Sequence, residues 1–272
     1  MQTPHAVLTV PRDALASANS CPAGPKAKDT PEGGQVGAGE LGTRWWPYIS
    51  RRSTERPQRA HLVLRADGIL GYADEEEDDR DTEGGLWARI STDLSGGGTV
   101  ENRRPHYYRQ RHLMRDLLCQ VCAQAPARDE AGAYLFVVAD GPRTRADARP
   151  DWAEGAREAT PPVCLTHAEE SATHCPRLPR CVALWVHRPV LFGVFGIRYS
   201  VGARGIRAGR RTIAEYETAA LARVVATQMI RRLDGVVVDW GLTEHLRSLR
   251  DAASLIGATP ADSAQEARCH SH

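Results

Sequence analysis

The sequence has almost no lysine. Lys26 and Lys28 are the only two among its 35 basic residues, so nearly all of the positive charge is arginine. The basic residues are balanced by 34 acidic ones, which excludes a strong overall field that would draw the chain towards nucleic acid. Arginine suits bidentate contacts with phosphate and carboxylate groups, but an arginine-rich composition is also typical of a GC-rich genome. Composition alone therefore does not indicate a nucleic-acid-binding protein.

Long apolar runs are also missing. No segment approaches the roughly 20 apolar residues that cross a bilayer, and the N-terminus lacks the cationic start and apolar run of a signal peptide. We therefore expect a cytoplasmic protein that does not enter the membrane. The seven cysteines are an odd number and several form close pairs, which in such a chain favours metal binding over disulfide bonds.

The composition divides the chain into four predicted segments. Residues 1–40 are rich in Pro, Gly, Ala and Ser and have few large apolar side chains, so we expect a disordered leader. A β-rich domain follows over residues 41–180, then a smaller α/β layer over 181–257, and a flexible tail over 258–272. The predicted fold class is α+β.

Local patterns predict most of the elements in the first half. Asp67-Gly68 separates two short apolar runs, which is a hairpin signal. A helix is expected from Pro105 towards Cys119, a strand over 134–139, and a short helix over 165–173.

The C-terminal third combines β-branched runs with one helical pattern. Gly193 and Gly196 are expected to mark a bend or bulge in a strand. Apolar residues recur with a 3.6-residue period from Ile213 to Leu233, which predicts a long helix. The elements expected here are strands over 182–186 and 190–199, a basic loop over 202–211, that helix, a strand over 236–238 and a helix over 242–255.

Two paired ligand turns predict a zinc site. Cys119-x-x-Cys122 can supply two thiolates from one tight turn, and Cys164-x-x-His167 can supply a thiolate and an imidazole. Four such ligands suit tetrahedral Zn²⁺, so we expect a zinc-stapled domain, that is, one cross-linked by the metal. Cys175 is the alternative fourth ligand. A redox pair or small buried cysteines remain further alternatives for the first turn.

Two resemblances follow from these residues. The segments RQRHLMRDLLCQVC, PPVCLTH and HCP, with YADE, LWAR and FGVFGIRY around them, resemble a family of actinomycete proteins without an established activity, over about residues 60–240. That family usually has cysteine where this chain has His167. The ligand pairs also resemble the treble-clef frame of HNH nucleases, but no histidine occurs between Gln120 and Val163, so the catalytic residue that the resemblance implies is missing.

Two arginine clusters are candidates for contacts with DNA or RNA, since arginine with nearby tyrosine can bind phosphate and stack on bases. A solvated surface is the alternative for both. The function predicted is a zinc-stabilised, non-enzymatic module that binds nucleic acid; the alternatives are a protein-interaction or regulatory module and a metal-dependent enzyme with a three-ligand site. The candidate arginines are Arg104, Arg109, Arg111 and Arg115 beside the first ligand turn, and Arg207, Arg210 and Arg211 further along the chain.

Overall fold

A computed structural model describes residues 47–256, apart from residues 96, 140, 150, 176, 177, 179 and 204. The predicted disordered leader (1–40) and flexible tail (258–272) lie outside the described residues. The described chain is mostly β-structure with three α-helices, so the predicted α+β class is confirmed. None of these helices is long and apolar enough to cross a lipid bilayer.

The elements follow one another in this order. The strands are β1 (Ser50–Arg52), β2 (Leu62–Leu64), β3 (Leu70–Tyr72), β4 (Leu86–Trp87), β5 (Val100–Pro105), β6 (Tyr134–Val138), β7 (Ala156–Glu158), β8 (Val182–Gly202), β9 (Gly205–Glu215) and β10 (Val224–Asp239). The helices are α1 (Tyr107–Asp116), α2 (Leu165–His174) and α3 (Trp240–Ile256), with short 3₁₀ turns over Glu77–Asp79 and Leu221–Arg223.

One large mixed sheet organises the described chain. Its strand order is β4-β10-β8-β6, with β9 also paired to β8 and β7 also paired to β10. The β4–β10 pair is parallel and the other pairs are antiparallel. Strand β6 comes before residue 180 and pairs with β8, which comes after it. The boundary predicted near residue 180, between the β-rich domain and the α/β layer, therefore falls between neighbouring strands of one sheet.

Strand β8 is the longest element and carries a different set of partners along each edge. Strand β10 covers one edge from Ala183 to Arg198. The other edge holds β6 over residues 182–186 and β9 over residues 193–202. At about 3.3 Å per residue the 21 residues of β8 extend over roughly 66 Å, so β6 and β9 lie towards opposite ends of the same strand.

The predicted helix over Ile213–Leu233 is wrong. This segment instead holds the end of β9, a connection containing the 3₁₀ turn, and the first part of β10. The 3.6-residue pattern is real, but Val224, Val225 and Ile230 are β-branched and suit an extended chain. Pairing with β8 runs along one edge of β10 for its whole length, and this tertiary contact outweighs the local helical preference.

The predicted basic loop over 202–211 is also wrong. Gly202 pairs with Gly205, and the basic residues after Gly205 belong to strand β9. We call residues 197–211 the arginine hairpin. The two segments predicted as strands over 182–186 and 190–199 are extended as expected, but they form one continuous strand, β8.

Several other local predictions are confirmed. The Asp-Gly turn connects β2 and β3 as an antiparallel hairpin, and the side chain of Asp67 accepts a hydrogen bond from the Ile69 amide. The predicted strand at 134–139 and the predicted helices at 165–173 and 242–255 correspond to β6, α2 and α3.

The glycines expected to mark a bulge sit where neighbouring backbones come very close. A Cβ atom on Gly196 would lie 2.1 Å from the Val225 carbonyl oxygen. A Cβ atom on Gly193 would lie 2.1 Å from the carbonyl oxygen of Ala214. The register of β10 against β8 shifts beside both glycines, so the absence of a side chain lets three strands pack together at an irregular place in the sheet.

We expect Gly196→Ala to lower the free energy of unfolding by about 1–3 kcal/mol, because the sheet must move to accommodate the methyl group. Urea denaturation at equilibrium measures this. Gly202→Ala is the matched control, since a Cβ atom there would meet nothing within 4 Å. Equal effects of the two substitutions would show that crowding at Gly196 is not what selects glycine.

Helix α1 is fixed to the sheet through two buried polar side chains. Gln110 exchanges hydrogen bonds of 2.8 and 2.9 Å with the backbone N–H and C=O of Met229. Arg231 donates to the Met114 and Arg115 carbonyls at the helix C-terminus, at 2.7 and 2.9 Å. Donors at this end satisfy carbonyl groups that the helix itself leaves free. The position of α1 matters because the first metal-ligand turn follows it directly.

Candidate metal centre

The first ligand turn forms where the chain leaves α1. Leu117 caps the helix in the left-handed region (φ 52°) and turns the chain towards Cys119. The Cys119 N–H donates to the Gln124 carbonyl at 2.7 Å, and the Ala123 N–H donates back to the Cys119 carbonyl at 2.9 Å. Ala123 also has a positive φ of 56°, which closes the loop so that both cysteine side chains turn to the same side.

The second ligand pair lies at the start of α2. Cys164 is the N-cap residue, with extended backbone, and its carbonyl accepts the Ala168 N–H at 2.9 Å. His167 stands in the first helical turn, so the Cys-x-x-His spacing places both side chains on the same end of the helix. The two pairs therefore come from a tight turn and from a helix N-terminus.

Backbone hydrogen bonds connect the two pairs independently of any metal. The Gln120 N–H donates to the Pro162 carbonyl at 3.0 Å, and the Ala127 N–H donates to Val163 at 3.1 Å. The Val163 N–H donates to the Leu135 carbonyl at 2.9 Å. Strand β6 and the segment before α2 thus hold the ligand turns side by side.

The four side chains converge as the spacing predicts. Their ligand atoms all lie within 4.8 Å of one another. The sulfurs of Cys119 and Cys164 are 3.8 Å apart, and His167 Nδ1 is 3.7 Å from the Cys119 sulfur and 2.9 Å from that of Cys164. Zn–S bonds of about 2.3 Å place tetrahedral sulfurs ~3.8 Å apart, so the first of these distances matches a tetrahedral site.

The site is sheltered by the core that surrounds it. Cys119 is fully buried and the other three ligands are partly buried. Side chains from β6, β8, α2 and α3 pack around Cys119 in one apolar cluster. A cation bound here would touch both the turn and the helix, and would cross-link them inside that cluster.

Proximity strongly perturbs the titration of these groups. Hydrogen bonds from Cys122 and Cys164 hold the pKa of Cys119 far below its usual range. The hydrogen bond with Cys119 raises the pKa of the Cys164 thiol, and hydrogen bonds with Cys119 and Cys122 raise the pKa of His167 to about 10. The cluster therefore shares protons among its members, and a bound metal would replace those protons.

The free nitrogen of the imidazole also has a neighbour. His167 Nε2 lies 3.6 Å from a carboxylate oxygen of Glu170, one turn further along α2. Since Nδ1 faces the three sulfurs, this arrangement corresponds to the carboxylate–histidine–metal pattern that fixes ring orientation in metal sites. The donor set of three thiolates and one imidazole fits a metal ion with tetrahedral preference.

Cys175, the alternative fourth ligand, lies at the opposite end of α2. It is the C-cap residue, and at 1.5 Å rise per residue it stands roughly 16 Å along the helix axis from Cys164. It is therefore outside the cluster formed by the other four side chains. Within the described ranges that cluster is the one group of three or more such residues close enough to share an ion.

The arginines near the first ligand turn are mostly engaged with protein groups. Arg109 forms two hydrogen bonds, of 2.8 and 2.6 Å, to the fully buried carboxylate of Glu55. Arg111 donates to the Asp78 carbonyl at 3.0 Å. Arg104 and Arg115 are exposed but lie beside carboxylates, at 3.8 and 2.8 Å. The guanidinium groups of these four arginines therefore already have acceptors within the protein.

The buried pair of Glu55 and Arg109 includes a third titratable group. His106 is fully buried, with its Nε2 atom 3.9 Å from Glu55. Burial lowers the pKa of His106 to about 4, so the ring is neutral at neutral pH. The Arg109 donors satisfy Glu55, whose pKa stays below its ordinary value although burial acts to raise it.

The arginines of the second cluster differ from those of the first in having no carboxylate beside them among the described residues. Arg207, Arg210 and Arg211 are exposed on β9, and within the described chain no carboxylate lies within 4.0 Å of their guanidinium nitrogens. Sequence reasoning missed two further arginines near them, Arg198 on β8 and Arg223 beside β10. Each stands alone in its local sequence, so their proximity depends on the strand pairing.

No protein-family model, curated protein or solved structure matches the chain.

Proposed function

We propose that this protein is a zinc-stabilised module that binds nucleic acid through the arginine hairpin. The observation that carries the proposal is the contrast between the two arginine clusters. Those around α1 contact carboxylates and carbonyls of the protein, whereas Arg207, Arg210 and Arg211 are exposed and unpaired within the described residues. Exposed arginine without a carboxylate partner suits phosphate groups, which it can contact bidentately.

The metal has a structural role in this proposal. Three thiolates and an imidazole fill all four positions of a tetrahedral zinc ion and leave none for an activated water. A Cys-x-x-Cys turn combined with a helix that begins at the second ligand pair supports a module of treble-clef type. Together with the lack of a histidine between the pairs, these features favour the non-enzymatic module over a metal-dependent enzyme.

The position of the two features along β8 supports a division of roles. The ligand turns lie beside β6, which pairs with residues 182–186 of β8, and the arginine hairpin begins at residue 197. The metal therefore stabilises one end of the sheet while the other end presents the charge. In this arrangement the metal does not need to touch the bound nucleic acid.

The test is binding of fluorescently labelled single-stranded RNA and duplex DNA over a range of salt concentrations. We expect binding at low salt and a steep loss as salt rises. The variant Arg207→Gln/Arg210→Gln/Arg211→Gln should bind much more weakly and reduce the slope of log K against log salt by about 2–3, because each lost phosphate contact removes about 0.7–0.9.

A charge-matched variant separates this effect from a change in net charge. Arg56→Gln/Arg59→Gln/Arg188→Gln removes the same charge from exposed positions outside the hairpin and should retain most of the affinity. The proposal fails if the parent protein does not bind either nucleic acid at low salt, or if both variants lose affinity equally.

A further inference from the structure

A cleft lies against the arginine hairpin, on the side where the chain enters β10. Its volume is about 410 Å³, within the range of small-ligand sites. Three of its lining residues are arginines from three separate segments. The lining consists of Arg198, Tyr199, Ser200, Val201, Gly209, Arg210 and Arg223.

Arg223 contains a buried donor without an acceptor. Its Nη1 atom is inaccessible to solvent and has no hydrogen-bond partner among the described residues. Leaving a charged donor unpaired inside a protein is costly, and most buried polar groups have a partner. Arg223 also lines the cleft, so a small rotation of its guanidinium would bring this donor to an acceptor bound there.

The positive charge of the cleft indicates that its ligand is an anion. None of the described lining residues is acidic, and in the part of the chain described no carboxylate lies within 4.0 Å of Arg198, Arg210 or Arg223. Three guanidinium groups with a neighbouring serine hydroxyl offer many N–H and O–H donors and a concentrated positive charge. A phosphate group provides the matching set of acceptor oxygens with one or two negative charges.

The backbone shows how the cleft is built. The register between β8 and β9 shifts between Ile197 and Tyr199, which inserts an extra residue into β9. A Cβ atom on Gly209 would lie 2.9 Å from the Arg198 carbonyl oxygen. Glycine at this position therefore allows the backbones of β8 and β9 to approach closely at the bulge. The bulge brings Arg210 to the cleft beside Arg198, as bulges commonly re-aim a side chain.

We propose that this cleft binds one phosphate group through Arg198, Arg210 and Arg223. The inference rests on the proposed function in one respect: it assigns that phosphate to the bound nucleic acid, where it fixes the strand on the hairpin. Arg207 and Arg211 then contact neighbouring phosphates from the surface.

The first experiment uses inorganic phosphate alone with the full chain. The Nε–H signals of the arginine side chains are followed by NMR while phosphate is added. A second titration with potassium chloride, at the same ionic strength, is the control. We expect saturable shifts at Arg198, Arg210 and Arg223 that chloride does not produce. Arg210→Gln should weaken phosphate binding by about tenfold, as loss of a charge-assisted contact does, and Arg188→Gln should leave it unchanged.

Arg210 is exposed, so its substitution is expected to preserve the fold, and Arg223→Gln is a second variant that removes the buried donor directly. Shifts that chloride reproduces, or phosphate affinity that neither variant changes, would overturn the inference and show an adventitious ion only.

The second experiment separates this inference from the proposed function. Oligonucleotides with and without a terminal phosphate are bound to the parent protein and to Arg223→Gln. If Arg223→Gln weakens binding of both by about tenfold, the cleft holds a backbone phosphate; if it weakens only the phosphorylated one, the cleft holds a terminal phosphate. If Arg223→Gln leaves nucleic-acid binding unchanged, the cleft does not hold a phosphate of the nucleic acid, and the proposed function stands. If the protein binds inorganic phosphate but no nucleic acid, the phosphate site stands and the proposed function is wrong.

Discussion

We expect Cys164→Ser to purify without stoichiometric metal and to unfold at a much lower temperature than the parent chain. Binding of structural zinc contributes about 10–16 kcal/mol in small zinc modules, which is comparable with the whole stability of an ordinary domain. Cys164 also begins α2, so loss of its ligand bond leaves the helix joined to the turn after α1 only through backbone hydrogen bonds and apolar packing. Elemental analysis of the purified protein and thermal denaturation followed by circular dichroism measure the two effects.

Cys175→Ser is the matched control. This residue is also a partly buried cysteine at an end of α2, but it is outside the ligand cluster, so metal content should be unchanged. If Cys164→Ser retained one equivalent of metal, or if Cys175→Ser lost it, the assignment of the four ligands would be wrong. A chelator should destabilise the parent protein and the control variant, and have little further effect on Cys164→Ser.

The second large effect is expected at Glu55. We predict that Glu55→Gln lowers the free energy of unfolding by about 3–5 kcal/mol, since it leaves the Arg109 guanidinium charged and without its counter-ion in a largely buried site. The effect should appear in urea denaturation at neutral pH. It should also exceed that of Asp116→Asn, which breaks the exposed pair with Arg115 and should cost less than about 1 kcal/mol.

A double-mutant cycle distinguishes a pairwise effect from general damage to the fold. With Arg109→Gln as the second substitution, the double variant should be considerably more stable than the sum of the two single losses implies. Additive losses would show that Glu55 stabilises the protein through its other contacts, such as that with the Arg52 N–H at 2.7 Å.

The ligand cluster could be predicted from the sequence because its chemistry is local. Each Cys-x-x-Cys or Cys-x-x-His unit places two ligands on one turn whatever the rest of the fold does. The short hairpin between β2 and β3 was predictable for the same reason, since Asp-Gly specifies its own turn.

Features that depend on distant partners were not predictable. The segment from Ile213 to Leu233 has helical periodicity, but its second half belongs to β10, whose partners on β8 lie 26 to 44 residues earlier in the chain. Arg109 has the spacing of a surface residue beside a ligand turn, but its partner Glu55 is 54 positions away. The cleft arginines become neighbours only after β8, β9 and β10 have paired.

The division of one edge of β8 between β6 and β9 has a consequence for the behaviour of the protein at high concentration. From His187 to Leu191 no described strand pairs with that edge, and an open edge is a template on which a second chain can add a strand and begin aggregation. The interval contains His187, Arg188 and Pro189. Proline offers no N–H to an incoming strand, and the exposed Arg188 beside it repels a like-charged copy. Proline and charged residues are the means by which natural sheets prevent edge-to-edge association, so the unpaired part of β8 is protected against it.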